Sequence, residues 1–254
     1  MGHNYISSVQ FHLPKNDKGD LGSLPAWHHL PMVRQFAETG LLSFDKPVTF
    51  FVGENGTGKS TLLEAIAVAA GFNPEGGTRN FHFSTRATHS DLHQYITLSR
   101  SAHPKDGFFF RAESFYNAAS YIDELDALPA AAPPISVSYG GKSLHHQSHG
   151  ESFLSLVENR FGGFGLYLLD EPESALSPTG LMRLLIQLRR LEEQKSQFLI
   201  ATHSPILMAY PGAQVLLLSE EGIHPVDYRE TDHYRLTRRF LEHPEEISRL
   251  LSPT

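Results

Sequence analysis

The sequence has 254 residues, of which 40% are hydrophobic and 19% are charged, so it can form a globular core, and it contains no apolar run of the roughly 20 residues that cross a bilayer. The formal charge of −7 does not support general coating of nucleic acid, which usually needs a basic balance, although local binding stays open. The absence of cysteine excludes a disulfide framework and a thiolate zinc site, and a cytoplasmic location is the simplest expectation.

The N-terminal third of the chain contains a predicted strand–loop–helix unit. The first 45 residues are rich in His, Pro and Gly, and we predict short strands and loops there; Met1–Gln10 lacks the layout of a signal peptide. Val48–Val52 is an apolar run that ends at a glycine, which indicates a buried parallel strand. Ser60–Ala70 has a strong helical pattern that Gly71 stops.

The middle of the chain, about residues 72–150, is less regular. We interpret it as an insertion or helical subdomain within a single domain of residues 1–254. Its candidate features are a strand at Phe108–Phe110, a helix at Ser114–Leu125, a breaker cluster at Pro129–Pro134 and a polar loop at Tyr139–Gly150. Three histidines in that loop, His145, His146 and His149, lack the spacing of a structural zinc motif, so a plain polar loop is favoured over a metal site.

Regular patterns return after Gly150. The predicted elements are a helix at Glu151–Phe161, a strand at Leu166–Leu169, a helix at Pro178–Gln194, strands at Phe198–Ala201 and Val215–Leu218, and one or two charged helices in Tyr228–Leu251. This alternation predicts an α/β fold with a mostly parallel sheet flanked by helices. Arg183, Arg189 and Arg190 form either a local basic patch or, as we favour, a solvated helix face.

The loop between the first strand and its helix matches a phosphate-binding motif. Its residues satisfy the G-x-x-x-x-G-K-[ST] pattern in full: Gly53, Glu54, Asn55, Gly56, Thr57, Gly58, Lys59, Ser60 and Thr61. Glycines allow the tight turn that aims backbone N–H groups at phosphate oxygens. We expect Lys59 to reach the β- and γ-phosphates of ATP and the Ser60 hydroxyl to bind Mg²⁺.

A second motif, Leu166–Pro178 (LYLLDEPESALSP), places two carboxylates at the carboxyl end of a predicted strand. Ligands bind beyond such strand ends in open α/β sheets. We expect Asp170 to hold Mg²⁺, directly or through water, and Glu171 to act as the general base for the attacking water. The alternative is a strand end with solvated charges, which the presence of the phosphate loop disfavours.

Together the two motifs resemble the ATPase core of the ABC superfamily, including its SMC-like and RecF-like branches. The chain is most similar to the small, soluble predicted ATPases of the AAA_21/RecF-like group, and less so to transporter subunits. The P-loop fold, ATP and Mg²⁺ are what this resemblance implies. Ala201–Pro205 (ATHSP) resembles the switch-histidine segment, which implies that His203 contacts the γ-phosphate and Glu171.

Two further segments resemble the parts of this family that meet across a dimer. Ser148–Glu151 (SHGE) resembles the signature motif, with His149 in place of a glycine, and implies that Ser148 and Gly150 cover a nucleotide held by another subunit. The alternative for Ser148 is a plain helix N-cap. Ser174–Ser177 resembles the loop that crosses the interface, with Ser177 where the family usually has Asp.

The family's glutamine loop and adenine-contacting residue are not resolved by the sequence. Arg111 stands in the place of the glutamine, so the sensing residue is Arg111, Glu113 or Gln94. The candidates for contact with adenine are Phe11, His12, Trp27 and Phe44.

Three functions follow from the resemblance. The first is an ATP-hydrolysing switch that forms an ATP-dependent homodimer and drives an unknown partner protein, for example in DNA maintenance or anti-phage defence. The second is the ATPase subunit of a membrane transporter, which the altered glutamine loop disfavours. The third is a nucleotide-gated binding module with little turnover, which Lys59, Asp170, Glu171 and His203 disfavour.

Overall fold

The computed structural model describes residues 4–12, 26–79, 90–113 and 148–246. Its larger sheet has six strands: β3 (Val48–Val52), β5 (Asp106–Arg111), β6 (Gly165–Asp170), β7 (Gln197–Ala201), β8 (Gln214–Ser219) and β9 (Gly222–Pro225). Their order is β5-β6-β7-β3-β8-β9. The first five in this order are parallel to one another, and β9 runs antiparallel to β8.

A smaller antiparallel sheet contains strands from the beginning and the middle of the chain. It consists of β1 (Ile6–Phe11), β2 (Leu41–Ser43) and β4 (Ile96–Arg100), in the order β2-β1-β4. The helices of the described residues are α1 (Pro31–Thr39), α2 (Lys59–Ala69), α3 (His149–Asn159), α4 (Pro178–Glu193), α5 (Pro205–Met208) and α6 (Asp232–Glu242). Short 3-10 turns lie at Ala26–His29, Asp91–Tyr95, Pro172–Ala175 and Tyr228–Glu230.

The central strands β3, β6 and β7 of the larger sheet are buried along their whole length, which explains their continuous apolar runs. Phe51 of β3 belongs to a core cluster that includes Leu62 of α2 and the smaller sheet. Its neighbour Phe50 faces the other way and belongs to a second cluster, which includes Leu184 of α4 and residues of α3. Successive side chains of a strand point to opposite faces, so a continuous apolar run fits a sheet covered by helices on both sides. The predicted α/β class with a mostly parallel sheet is confirmed.

The N-terminal and middle regions contain elements that the sequence did not predict. The region of residues 1–45, predicted as strands and loops, contains the helix α1, whose Met32, Val33 and Phe36 are buried. The predicted insertion at 72–150 contains β4 and β5, which belong to the two sheets, so these strands are part of the core. The other features predicted between 114 and 147 lie outside the described residues, and the single domain of 1–254 with its insertion at 72–150 stays a prediction.

The end of the predicted polar loop is helical in the structure. Tyr139–Gln147 lies outside the described residues, but Ser148 is the N-cap of α3, so the helix begins at His149 rather than at Glu151. Ser148 and Glu151 form a capping box, in which each side chain bonds the other residue's backbone N–H. The S-x-x-E spacing is the reason that the helix begins there.

The basic residues of α4 lie on a solvated face. Arg183 forms an exposed ion pair with Glu158 at 2.7 Å, and Arg189 forms one with Glu193 at 2.9 Å. The tail contains α6, as predicted, while residues 247–254 lie outside the described part. Within the described ranges, no helix is long and apolar enough to span a bilayer.

Candidate functional site

The phosphate-binding pattern forms a tight loop between β3 and α2. Gly53, Gly56 and Gly58 all have positive φ angles, of 140°, 81° and 97°, which residues with a side chain rarely adopt. A Cβ at Gly53 would collide with the carbonyl oxygen of Leu218 on β8. Glu54, Asn55 and Gly56 at the loop tip are exposed. The glycines are therefore required both by the turn and by the close packing of the loop on its neighbouring strand.

Lys59 is the first residue of α2 and is buried, with 4% of its surface exposed. Its ammonium group donates hydrogen bonds to the carbonyl oxygens of Gly53, at 2.8 Å, and Glu54, at 2.9 Å. Burial lowers the pKa of Lys59, although the carboxylates of Glu171 and Asp170 act in the opposite direction. The positive charge thus lies inside the loop, where an anionic ligand can reach it.

The two sequence motifs meet at Ser60 and Asp170, which are 110 residues apart in the chain. The Ser60 hydroxyl donates a hydrogen bond of 2.9 Å to Oδ1 of Asp170. Burial raises the pKa of Asp170 to about 6, against the lowering effects of the Ser60 hydrogen bond and the Arg111 charge. A hydroxyl and a carboxylate oxygen in contact are a suitable pair of ligands for Mg²⁺.

The carboxyl ends of four parallel strands lie side by side at this edge of the sheet. Arg111 of β5 is in register with Asp170 of β6, which is in register with Ala201 of β7, which in turn is in register with Phe51 of β3. The order of the strands in the sheet therefore brings the phosphate loop, the paired carboxylates and the histidine segment to one place. Ligand sites in open α/β sheets are expected at such strand ends.

Glu171 and His203 lie next to each other just beyond these strand ends. Oε1 of Glu171 is 3.6 Å from Nε2 of His203. Glu171 has φ 48° and ψ 53°, an unusual conformation for a residue other than glycine, and its N–H donates to the carbonyl of Ala201 at 3.0 Å. Such backbone strain is concentrated at functional sites. Their proposed roles stay predictions, but the two side chains are brought together as the resemblance implied.

Arg111 is the glutamine-loop candidate that reaches this edge of the sheet. Its guanidinium donates to the Glu64 carboxylate of α2 at 2.5 Å and to the carbonyl of Pro74 at 3.0 Å. Its Nε is 4.0 Å from Oδ2 of Asp170. Glu113 is 91% exposed at its side chain, and Gln94 is exposed in the 3-10 turn at Asp91–Tyr95. The geometry therefore favours Arg111.

Glu173 is a residue of the site that the sequence analysis missed. Its Oε1 accepts hydrogen bonds from the Thr202 hydroxyl at 2.8 Å and from the backbone N–H of His203 at 2.5 Å. Burial raises the pKa of Glu173 above its usual value. The residue thus ties the turn after Glu171 to the histidine segment. Its position two residues after the paired carboxylates was the available signal in the sequence.

The signature-like residues are at the N-terminus of α3. The Ser148 hydroxyl donates to Oε2 of Glu151 at 2.8 Å, and Ser148 is exposed. A Cβ at Gly150 would lie 2.5 Å from the carbonyl oxygen of Ala175, so only glycine allows this approach to the turn that follows Glu171. The N-cap role that we considered for Ser148 is present, and the role in a nucleotide interface stays a prediction.

Three of the four adenine-contact candidates are in the core. Phe11, Trp27 and Phe44 are buried, and Phe11 stacks on Phe36 with 3.5 Å between ring centroids. Only His12 is exposed, with Nε2 3.0 Å from the Thr97 hydroxyl. Next to the phosphate loop is a cavity of about 450 Å³, whose lining residues include Gly53–Thr57, Leu217–Glu220 and Glu230–His233.

Two protein-family models match the parts of the chain that form this site. An AAA domain family model matches residues 30–109, and a second, described as "AAA domain, putative AbiEii toxin, Type IV TA system", matches residues 143–209. These two ranges contain the phosphate loop, the paired carboxylates and the histidine. Together with the relative described next, these matches support an ABC-type P-loop ATPase. A relative from Haemophilus influenzae, named an uncharacterized ABC transporter ATP-binding protein, is 23% identical over 194 residues, which are 70% of this chain and 72% of the relative.

Two solved structures are similar to this chain in fold or in part of it. The ATP-binding cassette MJ1267 of an ABC transporter aligns with a TM-score of 0.52 at 14% identity, over 98% of this chain and 100% of that one. The SMC head domain from Thermotoga maritima aligns with a TM-score of 0.42 at 17% identity, over 88% of this chain and 99% of the other. The first of these likenesses shows the fold.

Proposed function

We propose that this chain binds Mg-ATP, hydrolyses it, and uses the nucleotide to join two copies that drive a partner protein. The observation that carries the proposal is the 2.9 Å hydrogen bond between the Ser60 hydroxyl and the Asp170 carboxylate. It joins the phosphate loop to the strand with the paired carboxylates, and it brings together oxygen donors of the kind that hold Mg²⁺. Mg²⁺ at these oxygens supplies charge neutralisation for the β- and γ-phosphates.

Glu171 is the proposed general base. A water oxygen attacks the γ-phosphorus, the bond between that phosphorus and the β–γ bridging oxygen breaks, and Glu171 takes the proton of the water, giving ADP and phosphate. Nε2 of His203 lies 3.6 Å from Oε1 of Glu171 and is buried without a hydrogen-bond partner. We propose that this nitrogen donates to the γ-phosphate, because an unpartnered buried N–H is costly unless a ligand accepts from it.

A phosphate-release assay with Mg-ATP tests the catalytic proposal. The wild type should release phosphate only when Mg²⁺ is present. Glu171→Gln should lower turnover by about 10²–10⁴-fold, the usual contribution of a general base, and should still bind a fluorescent ATP analogue. Glu193→Gln, the same chemical change on the exposed face of α4, is the control and should be neutral. Equal turnover in Glu171→Gln and the wild type would contradict the assignment.

A second candidate function is the ATPase subunit of a membrane transporter. The names of the Haemophilus influenzae relative and of the MJ1267 cassette favour it. Arg111 disfavours it, because transporters use the glutamine-loop region to engage their membrane subunits, and here this position is tied to Glu64. Purification of this protein from detergent-solubilised membranes distinguishes the transporter subunit from the ATP-driven switch. Stoichiometric co-purification of a polytopic membrane protein would favour the transporter, and purification of the ATPase without such a protein would favour the switch.

A further inference from the structure

A second histidine contacts the switch histidine from the C-terminal part of the chain. Nε2 of His233, at the start of α6, is 2.8 Å from Nδ1 of His203. On the opposite side of the His203 ring, Nε2 lies 3.6 Å from Oε1 of Glu171 and has no hydrogen-bond partner. His203 is therefore held between a carboxylate and a second imidazole, and His233 is not part of any motif that the sequence showed.

The position of His233 is fixed by local structure. Thr231, which is 1% exposed, caps α6: its hydroxyl accepts from the N–H of Tyr234 at 3.3 Å and donates to the carbonyl of Tyr228 at 2.7 Å. The same hydroxyl lies 3.9 Å from the sulfur of Met208 in α5, the helix that follows His203. The start of α6 is thereby anchored next to the histidine segment, although most of α6 is exposed.

The charges around His203 favour a neutral ring. Burial, the Lys59 ammonium and His233 lower the pKa of His203, and the carboxylates of Glu171 and Glu54 oppose this effect less strongly. A neutral imidazole carries one proton, so one ring nitrogen donates and the other accepts. The hydrogen bond made by one nitrogen determines which of the two carries the proton.

Only one of the two possible tautomers suits these neighbours. If Nδ1 of His203 donated to His233, the lone pair of Nε2 would face the Glu171 carboxylate, which is unfavourable for two acceptors. If Nδ1 instead accepts from Nε2–H of His233, the His203 proton is on Nε2, where it faces Glu171 and the proposed place of the γ-phosphate. The second arrangement gives every nitrogen in this contact a compatible neighbour.

We infer that His233 is a positioning residue: it donates its Nε2–H to Nδ1 of His203 and so keeps the His203 proton on Nε2, ready to be donated to the terminal phosphate of ATP. This inference rests on the proposed function for its consequence, but the tautomer itself is a property of the nucleotide-free protein. It also gives the C-terminal segment a part in the site, because α6 carries the residue that prepares the switch histidine.

Nuclear magnetic resonance of the nucleotide-free protein tests the tautomer directly. Long-range ¹H–¹⁵N correlation of histidine-labelled protein distinguishes the two tautomers, and the His203 signals are those lost in His203→Asn. We expect His203 to be protonated at Nε2 in the wild type. His233→Gln, whose amide can replace the Nε2–H donor, should keep this tautomer, whereas His233→Met, of similar length but without a donor, should lose it. A wild-type His203 protonated at Nδ1 would overturn the inference.

Steady-state kinetics test the consequence. His233→Met should lower kcat about 10-fold or more with unchanged ATP affinity, a scale taken from the loss of partners that orient metal-binding histidines. His233→Gln should restore kcat to within about 3-fold of the wild type, since the donor is retained. Equal losses in Gln and Met variants that melt at the same temperature would show a merely structural role. A wild type without turnover would contradict the proposed function. The NMR measurement of the His203 tautomer would still test whether His233 positions the proton of His203.

Discussion

The Lys59 ammonium donates a 2.8 Å hydrogen bond to the carbonyl oxygen of Gly53, the first residue of its own loop. A second bond, to Glu54, leaves the charge satisfied by backbone carbonyls while no phosphate is bound. Carbonyl oxygens carry only partial charge, whereas phosphate oxygens carry formal negative charge and attract an ammonium group more strongly. The β- and γ-phosphates are thus the stronger partners, and we expect them to take over the lysine when ATP binds.

Lys59→Ala should therefore abolish tight ATP binding. Loss of a charge-assisted contact costs on the order of 1.5–3 kcal/mol, which is roughly 10- to 100-fold in Kd. Titration calorimetry in the Glu171→Gln background, in which the nucleotide persists, measures this directly. Lys46→Ala, which removes an exposed lysine just before β3, is the control and should leave Kd unchanged. An unchanged Kd in a folded Lys59→Ala protein would remove the phosphate-binding role from this loop.

The raised pKa of Asp170 predicts how ATP hydrolysis depends on pH. Burial raises the pKa of this carboxyl to about 6, so it loses its proton only as the pH rises through about 6. A protonated carboxyl is a poor ligand for Mg²⁺, and protons and metal therefore compete for the same site. Activity should fall as the pH drops through this range, and a higher Mg²⁺ concentration should move the midpoint to lower pH. A midpoint that is independent of Mg²⁺ would contradict the assignment of Asp170 as a metal ligand.

The ion pair between Arg111 and Glu64 predicts a measurable coupling in stability. Both side chains are mostly buried, and Glu64 also accepts from the N–H of Ser90 at 2.9 Å. Arg111→Met leaves the Glu64 carboxylate without its cation and should cost about 3 kcal/mol of unfolding free energy, because breaking a buried pair is costlier than replacing it. Adding Glu64→Gln should recover part of this loss in urea unfolding. Strict additivity of the single variants would show that the pair is not coupled.

The parts of the site that sequence analysis predicted are those encoded in short, continuous segments. Gly53–Thr61 and the strand that ends in Asp170–Glu171 were found because each motif contains its own strand-end or helix-start pattern. The fold class followed from the alternation of apolar runs with helical ones. Local patterns of this kind do not depend on the rest of the chain.

The contacts that were missed join distant parts of the chain. His203 and His233 are separated by 30 residues, and Arg111 and Glu64 by 47, so no local spacing connects them. Helix α1 was missed for a different reason: it is short, and Pro31 at its start resembles a breaker although proline is favoured in the first turn of a helix. Its buried side chains come from tertiary packing, which overrides weak local propensity.

The remaining prediction concerns assembly: ATP should drive a two-fold symmetric homodimer in which Ser148 and Gly150 of each subunit cover the nucleotide of the other. The phosphate loop and the strand ends reach one side of the triphosphate, and a helix N-terminus such as that of α3 is a suitable anion partner for its other side. Gly150 also packs closely against Ala175, in the turn after Glu171, so a contact at α3 can be transmitted to the proposed base. The interface is isologous, because each subunit gives and receives the same contacts.

Light scattering on Glu171→Gln protein, with and without Mg-ATP, measures this assembly. We expect a monomer without nucleotide and a dimer with it. Ser148→Arg should abolish the dimer, because a side chain of that size at the helix start blocks the approach of a second nucleotide. It also removes the N-cap of α3, at a cost of about 1 kcal/mol, so thermal unfolding should show that the variant is still folded. Ala102→Arg is the matched control: Ala102 is exposed in the turn before β5, at the edge of the sheet opposite the site, so the dimer should persist. Two results would exclude α3 from the nucleotide interface: a monomer at high protein concentration and saturating ATP, or a dimer that Ser148→Arg does not affect. The signature-like segment would then be only the N-cap that Ser148 and Glu151 already form.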